Sequence, residues 1–165
     1  MPGPTPEAFK AQLIIPEQRQ LYDYWLSKRI QNNLPCRTDI SPADFPKLLP
    51  FISLIDCERD TGRFRVRLAG TRLREVYDCE ITGRYVDEFD LGARQKYWLT
   101  AYRQVADTAV PSQGVVRGPK ESKDHLVQFW LRLPLAAKDG HVGMILAIDS
   151  FVPALEMPDH QVARA

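Results

Sequence analysis

The residues in this 165-residue chain most able to do chemistry are few and scattered. Asp78, Glu80, Asp87, Glu88 and Asp90 gather in sequence around Gly83, and clustered carboxylate oxygens suit hard cations. Their spacing matches no cation-binding loop, a solvated acidic surface accounts for them, and no metal is expected. Cys36, Cys57 and Cys79 are far apart with no CxxC, which fits reduced packing thiols better than a disulfide framework or a zinc site. His125, His141 and His160 fall in a polar loop, a hairpin turn and a terminal segment. Asp124 beside His125 lacks the third group and the pocket that a catalytic dyad needs. The sequence contains no GxSxG, HExxH, P-loop or GxGxxG, so the chain is expected not to be an enzyme.

The elements that must position any site can be read from periodicity. Pro2, Pro4 and Pro6 with Gly3 make the start a poor candidate for order, and residues 1–15 are expected to be a flexible tail. Pro16 suits the first position of a helix. Behind it Leu21, Tyr22, Trp25, Leu26, Arg29 and Ile30 form one stripe of an amphipathic leading helix over 16–34. That stripe must be covered, by this chain's own sheet or by the same helix of a second copy. Ser41 and Pro42 predict a capped, short or 3-10 turn running to Leu49, because Pro46 would interrupt a longer α-helix.

Phe51 to Cys57 reads as a strand apolar on both faces, and Arg59 to Gly62 turns it into a second strand. In that second strand Arg63, Arg65 and Arg67 alternate with Phe64, Val66 and Leu68. Thr71 is a fair N-cap for the short helix TRLREVYD, and Gly83 permits a turn. A longer helix follows from about Ala93 to Thr108, with Trp98, Ala101, Tyr102 and Val105 inward. A short third strand lies near Val115 to Gly118. Leu126 to Leu135 alternates Val127, Phe129, Leu131 and Leu133 against Gln128, Trp130 and Arg132, and Lys138 to Gly140 turns it into a last strand, Val142 to Ile148. Pro153 and Pro158 predict a loose tail over 153–165.

Composition bounds the partners. Lys plus Arg is 22 against 21 for Asp plus Glu, which leaves no net field to draw in nucleic acid or an anionic membrane. No apolar run approaches the roughly 20 residues that span a bilayer, and MPGPTPEAFK is not a secretory signal. Cytoplasmic residence is the expectation.

Trp25 and Arg29, the run LPCRTDISPADFPKLLPFISLID (Leu34 to Asp56), RVRLAGT (Arg65 to Thr71), ITGR (Ile81 to Arg84) and LPL (Leu133 to Leu135) together resemble the PAS fold. The likeness is greatest to short stand-alone bacterial PAS-like proteins made of a leading helix and one such domain. The resemblance implies an α+β domain over 35–152: a five-stranded antiparallel sheet with short helices on one face and an N-terminal amphipathic helix. It also implies a homodimer and a sensory or regulatory role in signal transduction, exerted through a small ligand, a partner signalling protein or both.

PAS domains hold ligands between the sheet and the short helices. The resemblance thereby places Phe64, Val66, Leu68, Tyr77, Arg84, Tyr85, Phe89, Tyr102, Phe129 and Leu131 around either a ligand cavity or a filled core. Covalent flavin is disfavoured because Cys79 sits between Asp78 and Glu80, and haem because the long helix carries no His. Leu21, Tyr22, Trp25 and Leu26 on the leading helix are interface candidates. Arg65 and Trp130 are others, because arginines 63, 65 and 67 with Gln128, Trp130 and Arg132 suggest a wet or protein-contacting sheet face. The alternatives are a small enzyme on a cone-like or hot-dog α+β fold, and a ligand-free interaction module.

Overall fold

Strand alternation and two prolines set the architecture. A computed structural model describes residues 3–156. Its strands β1 (Ile52–Cys57), β2 (Phe64–Ala69), β3 (Ser112–Arg117), β4 (Leu126–Ala136) and β5 (Val142–Pro153) form one sheet in the order β2-β1-β5-β4-β3. Every pairing is antiparallel. The spine is the β4–β5 hairpin, in one register from Leu126 opposite Pro153 to Leu135 opposite Met144, with a shift before Ala136 pairs with Val142.

Both faces of this sheet are covered, which is why β1 is apolar on both sides. One face carries Ile52, Leu54, Leu131, Leu133, Leu135, Leu146 and Ile148 and packs under helix α2 (Pro16–Ser27). The other carries Ile55, Phe64, Val66, Trp130 and Ile145 and packs under α3 (Thr71–Tyr77) and α4 (Arg94–Thr108). The leading helix is therefore used in cis: Leu21 and Trp25 are fully buried, and the Trp25 indole N–H donates to Pro134 O at 2.9 Å.

Several expectations change. Residues 3–15 are not a flexible tail. Pro6 opens helix α1 (Pro6–Ala11), the Thr5 hydroxyl accepts from Ala8 N at 3.2 Å, and Phe9 and Leu13 are buried beside α2. Proline density here marks a helix start. The leading helix stops at Ser27, well before residue 34, because Gln31 and Asn32 adopt positive φ in a tight turn that leaves Ile30 exposed. Ser41 makes no side-chain cap. Its backbone N–H instead donates to the Tyr24 hydroxyl, which donates to Asp44, each at 2.8 Å, so α2 itself holds the 3-10 turn Pro42–Asp44.

Thr71 is the first helical residue and not the cap, which falls on Gly70. A Cβ at Gly70 would lie 2.2 Å from Leu49 O, a backbone approach only glycine allows. Gly83 does take the positive φ expected of it, and the chain beyond it hydrogen-bonds along the β2 edge. The terminal tail from 153 is strand at Pro153 and a 3-10 turn over Ala154–Glu156; its remainder lies outside the described residues.

Because Trp25 fills the space between α2 and the sheet and loses a buried hydrogen bond on truncation, Trp25→Ala should cost about 3–5 kcal/mol. Urea unfolding of the two proteins measures the difference. Exposed Ile30→Ala, on the same segment, should stay within about 0.5 kcal/mol.

Candidate ligand site

The side chains of β4 that face α3 and α4 are Gln128, Trp130 and Arg132, and Trp130 lies opposite Asp149 of β5 in the ladder. Gln128 is fully buried, and Arg132 and Asp149 are each 2% exposed. Charges almost never lie this deep unless they are paired. Here the Arg132 Nη2 donates to Asp149 Oδ1 at 2.8 Å, and Gln128 Nε2 donates to the same oxygen at 2.6 Å. Arg132 Nη1 donates to Leu131 O at 3.1 Å.

Aromatic rings enclose the guanidinium. Its carbon lies 5.1 Å from the Tyr102 ring centroid and 5.5 Å from those of Trp98 and Trp130, within reach of the negative ring faces. The two indoles meet edge to face at 5.9 Å, with Trp98 Nε1 donating to Pro119 O at 3.2 Å and Trp130 Nε1 to the Tyr97 hydroxyl at 2.8 Å. Gln128 also meets the Tyr77 hydroxyl and Arg132 the Tyr102 hydroxyl, while two atoms of these side chains, Arg132 Nε and Gln128 Oε1, are buried without a hydrogen-bond partner. Such atoms are uncommon in native interiors and each calls for a cause.

Electrostatics follow the burial. Desolvation works against the Arg132 charge, but the Asp149 carboxylate outweighs it and holds the guanidinium above its usual pKa. Burial, followed by the Asp149 charge, pushes the Tyr77 phenol up, and burial does the same to Tyr102. Both phenols therefore stay neutral across the physiological range.

The residues expected to line a pocket divide. Phe64, Val66, Tyr77, Phe89 and Tyr102 do lie on this face, Phe64 against Tyr102 at 5.6 Å and Tyr77 against Phe89 at 6.2 Å. Arg84 lies at the rim, its guanidinium 5.3 Å from the Phe89 ring, and lines a small pocket of about 90 Å³ with Tyr77, Cys79, Ile81, Asp90 and Lys120. Tyr85 is outside, its hydroxyl donating to Glu58 at 2.8 Å and its ring stacked under Arg63 at 3.6 Å.

Leu68, Phe129 and Leu131 are corrections. Leu54 pairs with Leu68 while Ile55 pairs with Val66, so Arg67 is an extra residue that turns Leu68 to the opposite face, where it is 45% exposed. Phe129 and Leu131 share the α2 side by alternation, and Leu131 packs in that core. Gln128, Trp130 and Arg132, read as part of a wet face, are turned inward under α3 and α4, while Arg65 and Arg67 are exposed on β2.

Trp130 as an exposed contact residue falls with that reading, since it is only 5% exposed. Of the other contact candidates, Leu21, Tyr22 and Trp25 are buried under α2, Leu26 is half-buried and Arg65 is exposed. Arg63 and Arg67 pair outward: Arg63 grips Asp87 with two bonds of 2.7 and 2.8 Å, and Arg67 reaches Asp56 at 2.9 Å. The acids near Gly83 are thus largely neutralised. The Arg63 hydrogen bonds hold the Asp87 carboxyl below its usual range, and Lys123, then Lys120, do so for Asp78.

Among the described residues no group of three or more His, Cys, Asp or Glu is arranged to hold a metal, and no helix is long and apolar enough to cross a membrane. His125 is exposed in its loop, His141 sits beside Asp139 in the β4–β5 turn, and His160 lies outside the described residues. Sequence reasoning missed Arg132, Asp149 and Gln128 as a unit. The available signal was a lone Arg in LRLPL and a lone Asp in ILAIDS, opposite charges inside two apolar strands that pair.

A five-stranded antiparallel sheet in this order, with helices over a polar centre on one face, defines an α+β domain of the PAS type. The family model of the PAS domain matches residues 14–148, and the chain belongs to that family. PAS domains are sensory signalling modules, typically without catalysis. No curated protein matches the chain.

Among solved structures, VqmA bound to DPO superposes with a TM-score of 0.53 at 13% identity, over 67% of this chain and 56% of that one. The Vibrio cholerae VqmA dimer gives 0.55 at 10% identity, over 73% and 55%. A light-oxygen-voltage domain studied with a flavin analogue gives 0.50 at 10%, over 69% and 85%. The chain thus spans little more than half of the VqmA chains, and at these identities the likeness is one of fold.

Two measurements follow from the site. Arg132→Met or Asp149→Asn alone should destabilise by about 3–5 kcal/mol, since each strands a buried partner, whereas Arg132→Met with Asp149→Leu should recover most of the loss. Denaturant midpoints read this directly. Cys57, whose thiol burial and then the Asp56 charge push up to about 12, should resist iodoacetamide at pH 8 in the native protein while exposed Cys79 is alkylated. Its raised pKa also means that the stability it confers is complete below pH about 8.5 and is lost as pH rises from there towards 12.

Proposed function

We propose that this protein is a non-catalytic cytoplasmic sensor that binds a small molecule beside Arg132, Asp149 and Gln128 and reports the binding to a partner protein. The observation that carries the reading is a buried polar centre under α3 and α4, the Arg132–Asp149 pair with Gln128, in which Arg132 Nε and Gln128 Oε1 are left unbonded. VqmA bound to DPO and the domain studied with a flavin analogue support small-molecule binding by this fold.

The route of the signal is a single strand. Gln128, Trp130 and Arg132 alternate along β4 with Leu131 and Leu133, which pack under α2, and Trp25 bonds to the backbone of Pro134 on the same strand. A ligand that favours one position of β4 therefore biases α2, provided its affinity differs between the two arrangements. The partner, and a second copy of this chain in a homodimer, would meet the outer side of α2 around Leu26 and the exposed arginine edge of β2 at Arg65. A ligand-free interaction module is the competing reading, supported by the rings of Trp98, Trp130 and Tyr102 packed about the guanidinium.

Native mass spectrometry of the protein as purified, with an absorbance spectrum on the same sample, separates the two. A non-covalent adduct that is present in wild type and absent from the Arg132→Met/Asp149→Leu protein is expected. A bare mass from several expression hosts, unchanged in the variant, would favour the interaction module.

A further inference from the structure

A cleft of about 450 Å³ runs along one flank of α4. Lys96, Tyr97, Thr100, Ala101 and Gln104, spaced three and four residues apart, line it from the helix, with Ala93 just before the helix starts, and Trp130 lines it from β4. Gly114 is what lets the indole reach it. Gly114 pairs with Trp130 across the β3–β4 ladder, and a Cβ there would lie 2.5 Å from the indole Cζ2. The indole therefore lies over β3, an edge strand of the sheet. Its N–H donates to the Tyr97 hydroxyl at 2.8 Å, and the two rings meet edge to face at 6.2 Å.

This lining has an apolar wall and a polar rim. Tyr97 and Trp130 are held by their mutual hydrogen bond, and with Ala93 and Ala101 they offer a preorganised surface for a flat apolar body. Lys96, Thr100 and Gln104 are exposed. Among the described residues Lys96 is the one charged side chain lining the cleft, and it has no ion-pair partner. Lys96, Thr100 and Gln104 can all donate hydrogen bonds, which a carboxylate accepts and an ammonium cannot. The volume is that of a small-molecule site. We propose that the cleft binds a small aromatic carboxylate, with its ring against Tyr97 and Trp130 and its carboxylate at Lys96. The site goes beyond the buried centre and does not require a ligand there. Because the same indole lies 5.5 Å from the Arg132 guanidinium, occupancy of the cleft bears on β4 from its outer side.

A matched probe series on the full chain tests this. Naphthoate, naphthamide and naphthylmethylammonium share one ring system and differ in the polar group, and the Trp130 indole N–H resonance reports occupancy by NMR. Trp25, on the other face of the sheet, is the internal control. Naphthoate should shift the Trp130 resonance saturably, leave that of Trp25 in place, and at low salt bind about five-fold more tightly than naphthamide. Lys96→Glu should weaken naphthoate about ten-fold and change naphthamide by less than about two-fold. Thr100→Tyr, which sets a ring into the cleft from an exposed position, should weaken every probe.

Naphthamide or naphthylmethylammonium binding as tightly as naphthoate would overturn the ligand class. Shifts that persist undiminished in both variants would overturn the site. A Trp130 resonance that moves with protein concentration and with no probe would assign the cleft to a second copy of the chain and overturn the proposal. A native adduct lost from Arg132→Met/Asp149→Leu should persist in Lys96→Glu, so the buried centre and the cleft fail separately.

Discussion

The ion pair of Arg132 with Asp149 is the constraint on which the rest of the structure depends. Two charges at 2% exposure with a separation of 2.8 Å lose most of their hydration, and an apolar pair of the same size is often no less stable. A pair kept in such a place is therefore weak as a stabilising device. It does fix which face of β4 turns towards α4, because only that register lets Arg132 reach β5. It also organises the surrounding rings and orients the Gln128 amide. With the pair in place, Arg132 Nε and Gln128 Oε1 are left without a hydrogen-bond partner.

From that centre the architecture reads as two cores on one sheet. The side under α3 and α4 is aromatic and holds the polar group; the side under α2 is aliphatic, with Trp25 as its main ring. β4 belongs to both, with successive residues facing opposite cores at a rise of about 3.3 Å per residue. Close packing makes it hard to move one side of such a strand without the other. The α2 helix covers its own sheet, so a signal that reaches it changes how an already packed element sits and what it shows on its outer side.

Much of the fold was legible because periodicity is local. The leading helix from Pro16, the β1–β2 and β4–β5 hairpins, the long helix with Trp98 and Tyr102 inward, and the PAS resemblance all rest on spacings within single elements. The site was less so. Alternation told Gln128, Trp130 and Arg132 from Phe129 and Leu131, but it could not say which set faces the helices. Polarity pointed to water, and the answer lay in Asp149, 17 residues further on. The Arg67 bulge that expels Leu68 is likewise set by pairing with β1 and leaves no mark in the alternation of β2. Burial of Phe9 and Leu13 shows the converse, a proline-rich stretch whose prolines open a helix.

The most direct test of the account is a high-resolution crystal structure of the protein as purified, read at the two free atoms. The account predicts an ordered non-protein molecule within hydrogen-bonding distance of Arg132 Nε or Gln128 Oε1. Those two atoms bonded to protein groups, with the rings closed over them and no room between, would contradict it.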